Sequence, residues 1–155
     1  MDMGNRDNKN YYRLAVMAVL SFVCMYGLMY AMADRFINVY FSLNQFYMAG
    51  LMTIPMVLIE MLLMRNMYGN KKLNAVIIAS GSVALIVFFA LIRQQLFIDD
   101  RQFLRSMIPH HAGALLMCEK AAIRDNEIKS LCEGIKAGQQ SEIDRMKSIL
   151  DRLKD

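Results

Sequence analysis

Both histidines of this 155-residue chain, His110 and His111, are neighbours, and Met107, Met117 and Cys118 lie close by. Imidazole is a borderline ligand and thioether a soft one, so this set suits copper or silver better than calcium or magnesium. On a helix advancing about 100° per residue, Phe103, Met107, Ala114 and Cys118 form one stripe, with His111 on one shoulder and His110 and Met117 on the other. The two imidazoles therefore straddle a single apolar face. A methionine stripe at helical spacing is usually core filler, and a lone histidine is usually a satisfied polar group. Taken alone, the segment supports a metal site and a structural role equally. Pro109 should kink the helix just before the histidines, because it lacks an N–H and crowds the preceding turn.

A second helix changes that balance. Ile128, Leu131, Cys132, Ile135, Gln139, Glu142, Met146, Ile149 and Leu153 share one face, with Gln139 and Glu142 interrupting an otherwise apolar stripe. A carboxylate buried there would need a cation or a histidine opposite it. The turn Arg124-Asp125-Asn126-Glu127 joins the two helices, and counting outward from it brings His111 level with Gln139 and Glu142. The same count brings Cys118 level with Cys132, as a disulfide, a thiolate clamp or two buried thiols, while Cys24 stays free.

Phe103, Met107-Ile108-Pro109-His110-His111, Ala114 and Met117, followed by Ile135, Gln139, Glu142-Ile143 and Met146, resemble the family of small helical domains known as domain of unknown function 305. The resemblance covers about residues 97–153. It implies half of a ferritin-like four-helix bundle and, because some members are periplasmic copper-binding proteins, a metal site. Cys118, Cys132 and Ile149 depart from the common pattern. Many members carry two helix pairs where this chain has one, so dimerisation would complete the bundle.

The elements that must position this segment begin in a membrane. The chain is 56% hydrophobic with 15 Met and no Trp, and its mean hydropathy is +0.27, too apolar for an ordinary soluble domain. Three stretches reach the roughly 20 apolar residues that a bilayer crossing needs, at about 14–33, 46–64 and 73–92. The expected organisation is a cytoplasmic tail at 1–13, a three-span region at 14–96 and an extracytoplasmic, metal-binding helical hairpin at 97–155, all α-helical. Ala31-Met32-Ala33 matches a signal-peptidase pattern, but the apolar run exceeds a usual signal core, so retention of the first span is expected. Met25, Met29 and Met32, like Met48, Met52 and Met56, form stripes that read first as adaptable packing. Glu60 should reach towards Arg65 or the interface. Asp99 is a good N-cap with Gln102 placed to close a capping box, for a helix over 100–123.

Net charge of +4 and a pI near 9.0 do not signal nucleic acid, because from Phe97 onward Lys and Arg are balanced by Asp and Glu. Enzymatic readings lack their residues. Glu142 is the only well-placed carboxylate for a di-iron oxidase, and no His-Glu-x-x-His is present. Cys118 and His111 stand two helical turns apart, about 10 Å by rise, too far for a thiol and its base.

The expected function is that of a membrane-anchored, non-enzymatic protein binding copper, Cu(I) above all, or silver, for tolerance or delivery outside a bacterial cytoplasmic membrane. Its ligands would be His110, His111, Met107 and Met117, with Glu142 and Met146 from the second helix. Affinity should fall below about pH 6.5, where imidazole protonates. Expected partners are membrane lipid, a second copy and a copper-handling protein. The alternative is a helical interaction or pH-sensing module without metal. Arg65, Lys71 and Lys72 crowd the second connection while the first has only Arg35. That imbalance puts the N-terminus and second connection inside and the hairpin outside. In intact cells, single-cysteine variants after Asp99 should react with a membrane-impermeant reagent, and labelling near Lys71 would contradict the orientation.

Overall fold

An apolar run long enough for lipid could satisfy its backbone there only within itself, which favours helices in the three hydrophobic stretches. The computed structural model describes residues 3–153, in which the α-helices are α1 (Met3–Leu28), α2 (Leu43–Leu63), α3 (Lys71–Arg93), α4 (Asp100–Lys120) and α5 (Asn126–Arg152). Short 3-10 turns lie at Met29–Met32, Phe36–Asn38 and Arg65–Met67, and no strand is present among the described residues. Segments Asp7–Met32, Leu43–Leu63 and Lys71–Arg93 are each long and apolar enough to cross a membrane. The chain divides into two compact units.

The first unit holds the residues up to Leu28 together with Phe46–Phe97. Phe22, Phe46 and Phe88 tie its three helices together, with ring centroids 5.0 Å apart for the first two and 6.1 Å for the second pair. Gly50 permits this approach, because a Cβ there would stand 2.5 Å from the Phe88 ring. At the opposite end Leu14, Met61 and Tyr68 form a small buried cluster. The Tyr11 hydroxyl donates to Asn74 Oδ1 at 2.6 Å, and Asn10 Nδ2 donates to the Met67 carbonyl at 2.8 Å. The start of α1 and the second connection thus pack together. Glu60 accepts from the Tyr68 hydroxyl at 3.4 Å, so its partner is a tyrosine of this connection. Burial, reinforced by the Glu60 carboxylate, raises the Tyr68 phenol above its ordinary range.

The second unit combines Met29–Gln45 with the residues from Ile98 onward. Leu104, Ile108, Ala112 and Leu115 of α4 pack on Ile143 and Leu150 of α5, and Ile108, Ala112 and Ile143 are fully enclosed. Asp99 caps α4 through the Gln102 N–H at 2.7 Å. Gln102 does not close the box: its Oε1 accepts from the Leu43 N–H at 3.0 Å and so serves the start of α2. The helix stops at Lys120, short of the expected 123, because Ala121 turns to extended backbone. Asp125 caps α5 by accepting from the Glu127 and Ile128 N–H groups.

The sequence pattern did not disclose that the first connection folds onto this hairpin. Ala33 and Tyr40 pack against its core, Asn44 Nδ2 donates to Ser106 Oγ at 3.2 Å, and the Met32 carbonyl passes over Gly113. One flank of α4, carrying buried Pro109 and Gly113, is thereby covered.

Candidate functional site

The register of α4 on α5 places Cys118 against Cys132 and His111 against Glu142. His111 is the best-defined candidate ligand, its side chain only 12% exposed. One turn back along α4 the Met107 carbonyl lies 2.9 Å from Nδ1, and across the seam Glu142 Oε2 lies 2.8 Å from Nε2. A carbonyl oxygen only accepts, so Nδ1 carries a proton. Nε2 therefore either donates a second proton to the carboxylate or offers its lone pair to a cation in that proton's place. An imidazole held through Nδ1–H by a backbone carbonyl has the outer contact that metal-bound histidines use to fix their ring.

Glu142 is not buried. Its side chain is 58% exposed, because the core face of α5 is that of Cys132, Ile143 and Leu150, and one residue back from Ile143 rotates about 100° away. The carboxylate meets the histidine at the rim of the hairpin, where water still screens it and its desolvation cost is small. Gln139, a turn earlier, is half-buried.

The remaining candidates spread out along the hairpin. His110 is exposed, its ring centroid 6.1 Å from that of His111. Met107 is half-buried, and Met146, also half-buried, packs on the hydrophobic core. Met117 is 53% exposed and stands about 15 Å along the helix axis from Met107, so the six residues do not converge on one point. His111 and Glu142 meet, with His110 and Met107 adjoining; Met117 lies at the disulfide end. No group of three or more His, Cys, Asp or Glu side chains that could hold a metal ion gathers among the described residues.

Cys118 and Cys132 are joined as a disulfide with Cα atoms 5.4 Å apart, closing a short loop of sequence separation 14, and Cys24 is free. Beyond the disulfide the apolar stripe loses its cover. Ile128 and Leu131 are 49% and 61% exposed, and at the other end of the hairpin Phe103 of α4 is 51% exposed. Ile128, Leu131 and Ile135 line a shallow groove floored by Gly134 and Gly138, where an added Cβ would meet nothing.

Residues 95–155 match the family described as Domain of unknown function (DUF305). Across nearly its whole length the chain is similar to Uncharacterized protein L153 of Acanthamoeba polyphaga mimivirus, 37% identical over 148 residues that cover 94% of this chain and 95% of the viral protein. The likeness thus runs through the apolar helices as well as the hairpin. No solved structure matches.

In unreduced protein, mass spectrometry after alkylation should find only Cys24 modified. Cys132→Ser should lower the hairpin's unfolding free energy by about 3 kcal/mol, the chain-entropy value for a loop of this size. Alkylation of all three cysteines without reductant would contradict the pairing.

Proposed function

This chain belongs to the DUF305 family, and we propose on that premise that it is a membrane-anchored protein binding a soft monovalent cation, Cu(I) or Ag(I), for metal tolerance or delivery. The observation that carries the reading is His111, whose Nδ1 is fixed by the Met107 carbonyl while Nε2 is directed at Glu142. Its Nε2, the Met107 thioether and the neighbouring His110 supply the borderline and soft donors that such an ion prefers. Glu142 and Met146 approach from α5, and Met117 extends the donor surface towards the disulfide.

The open face is the second part of the reading. With one flank of α4 covered by the first connection, Phe103, Met117, Ile128 and Leu131 remain exposed together with the candidate donors. A second copy laid on this face would complete a ferritin-like four-helix bundle and bring two His110-His111 pairs into one interior. Packing of Met29–Gln45 on the hairpin, and of Asn10 and Tyr11 on the second connection, is consistent with three crossings. We place the hairpin outside, where an oxidising compartment suits the Cys118–Cys132 bond. The reading requires a membrane with an oxidising far face, such as a bacterial cytoplasmic membrane.

A second reading rests on the same geometry. Acceptors face both ring nitrogens of His111, and an imidazolium satisfies both without any metal. The pair would then be a fastener between α4 and α5.

Full-length, untagged protein in detergent should take up Cu(I) supplied with a non-thiol reductant, and a His110→Ala, His111→Ala double variant should lose more than about tenfold in affinity. Equal affinity in the two proteins would rule out the metal site and leave the fastener. The protein should also run as a dimer by light scattering corrected for detergent, and Leu131→Glu should shift it to monomer; a monomeric wild type, with and without copper, would sink the shared bundle.

A further inference from the structure

The first connection is built inside out. Within residues 33–42 the uncharged polar side chains and Asp34 point inward: the side chain of Asp34 is 7% exposed, Asn38 is 3% exposed and Ser42 is fully enclosed. Asn38 Nδ2 donates to Asp34 Oδ1, and the Tyr30 hydroxyl donates to the Tyr40 carbonyl. Phe36, Ile37 and Phe41 point the other way. Phe36 is 96% exposed and Ile37 70% exposed, at the outermost turn of the segment. A loop selected for water would invert this arrangement, because each exposed aromatic forfeits roughly 1.5–3 kcal/mol of burial.

Three further features say what surrounds the tip. The segment joins two candidate spans that end at Met32 and resume at Leu43. Ten residues going out and back at 3.3–3.6 Å each reach no more than about 17 Å from the membrane surface. Part of the tip's backbone is satisfied within the turn, since the Asn38 N–H donates to the Arg35 carbonyl and the Val39 N–H to the Phe36 carbonyl. Each such bond lowers the cost of entering a poorly hydrated layer. Arg35 stands beside the aromatic residue with its side chain 74% exposed, the usual pairing of a cation for phosphate and a ring for the acyl boundary.

We infer that Phe36 and Ile37 insert into the lipid headgroup and upper acyl layer on the hairpin side of the membrane, with Arg35 at phosphate level. The inference goes beyond the metal reading and does not depend on it. Its mechanical consequence lies within the second unit. The segment's other side is pinned to α4 through Leu43 and Gln102, Asn44 and Ser106, and Met32 over Gly113. Lipid contact at the tip therefore fixes the depth at which α4, and with it His111, is held.

The chain contains no tryptophan, so Phe36→Trp and Ile37→Trp each give a single reporter in the full-length protein reconstituted in phosphatidylcholine–phosphatidylglycerol vesicles. Ala137→Trp, on an exposed position of α5, gives the water-facing reference. Emission from both tip reporters should lie to the blue of the reference, be quenched by lipids brominated high on the acyl chain and be shielded from aqueous iodide. Emission matching the reference, with iodide quenching and no response to brominated lipid, would overturn the inference. So would blue emission that ignores brominated lipid; its loss on reconstitution at a higher lipid-to-protein ratio would show that a second copy occupies the tip.

Discussion

Packing of α4 on α5 at Ile108 and Ile143 is the contact on which the hairpin depends. Both side chains are fully enclosed, and because a helix repeats every 3.6 residues, seating them fixes the register of every other pair. Slipping the contact by one residue would turn His111 away from Glu142 and open the Cys118–Cys132 approach. Each of these isoleucines contributes burial on the order of 1.5–3 kcal/mol, a large share of the stability a pair of helices can muster alone. The disulfide closes one end of the pair; the loop Met29–Gln45 supplies cover along its flank. This arrangement suits a domain too small to enclose its own core.

Register was the most legible feature, because it follows from two local signals, the turn at Arg124-Asp125-Asn126-Glu127 and the apolar period on either side. Asp125 does cap α5, and the outward count pairs His111 with Glu142. The three apolar helices were legible from length and composition. Burial was not. Periodicity reports that residues share a face but not what covers it, so the shared stripe does not reveal that Ile128 and Leu131 are left open or that Glu142 stands at its rim. The first connection was the least legible segment. Between Ala33 and Ser42 no period of 3.6 or 2 exists to read, and its attachments are single hydrogen bonds to residues far along the chain, such as Asn44 to Ser106. Gln102 illustrates the same limit: locally it completes a capping box, but the unsatisfied Leu43 N–H at another helix start draws its side chain away.

The position of His111 at the seam bears on what a bound ion could do. In the hydrophobic core an imidazole–carboxylate pair would pay heavily for desolvation, and an ion held there would exchange slowly. At the rim Glu142 keeps its water and His110 projects outward, so a cation could arrive and leave without opening the hairpin. Neutral thioethers, which need no deprotonation, add affinity for soft ions without adding charge. On the proposed reading, a site of this construction would favour transfer over long storage. Its candidate donors in one copy would be few, and the exposed apolar residues around it, Phe103, Met117 and Leu131, are the kind that burial against a partner would use. Metal binding and association would then be coupled, since an ion shared by two hairpins stabilises the dimer and the dimer completes the ion's shell. On the proposed reading each hairpin would contribute only a rim, and an interior would form when two rims met.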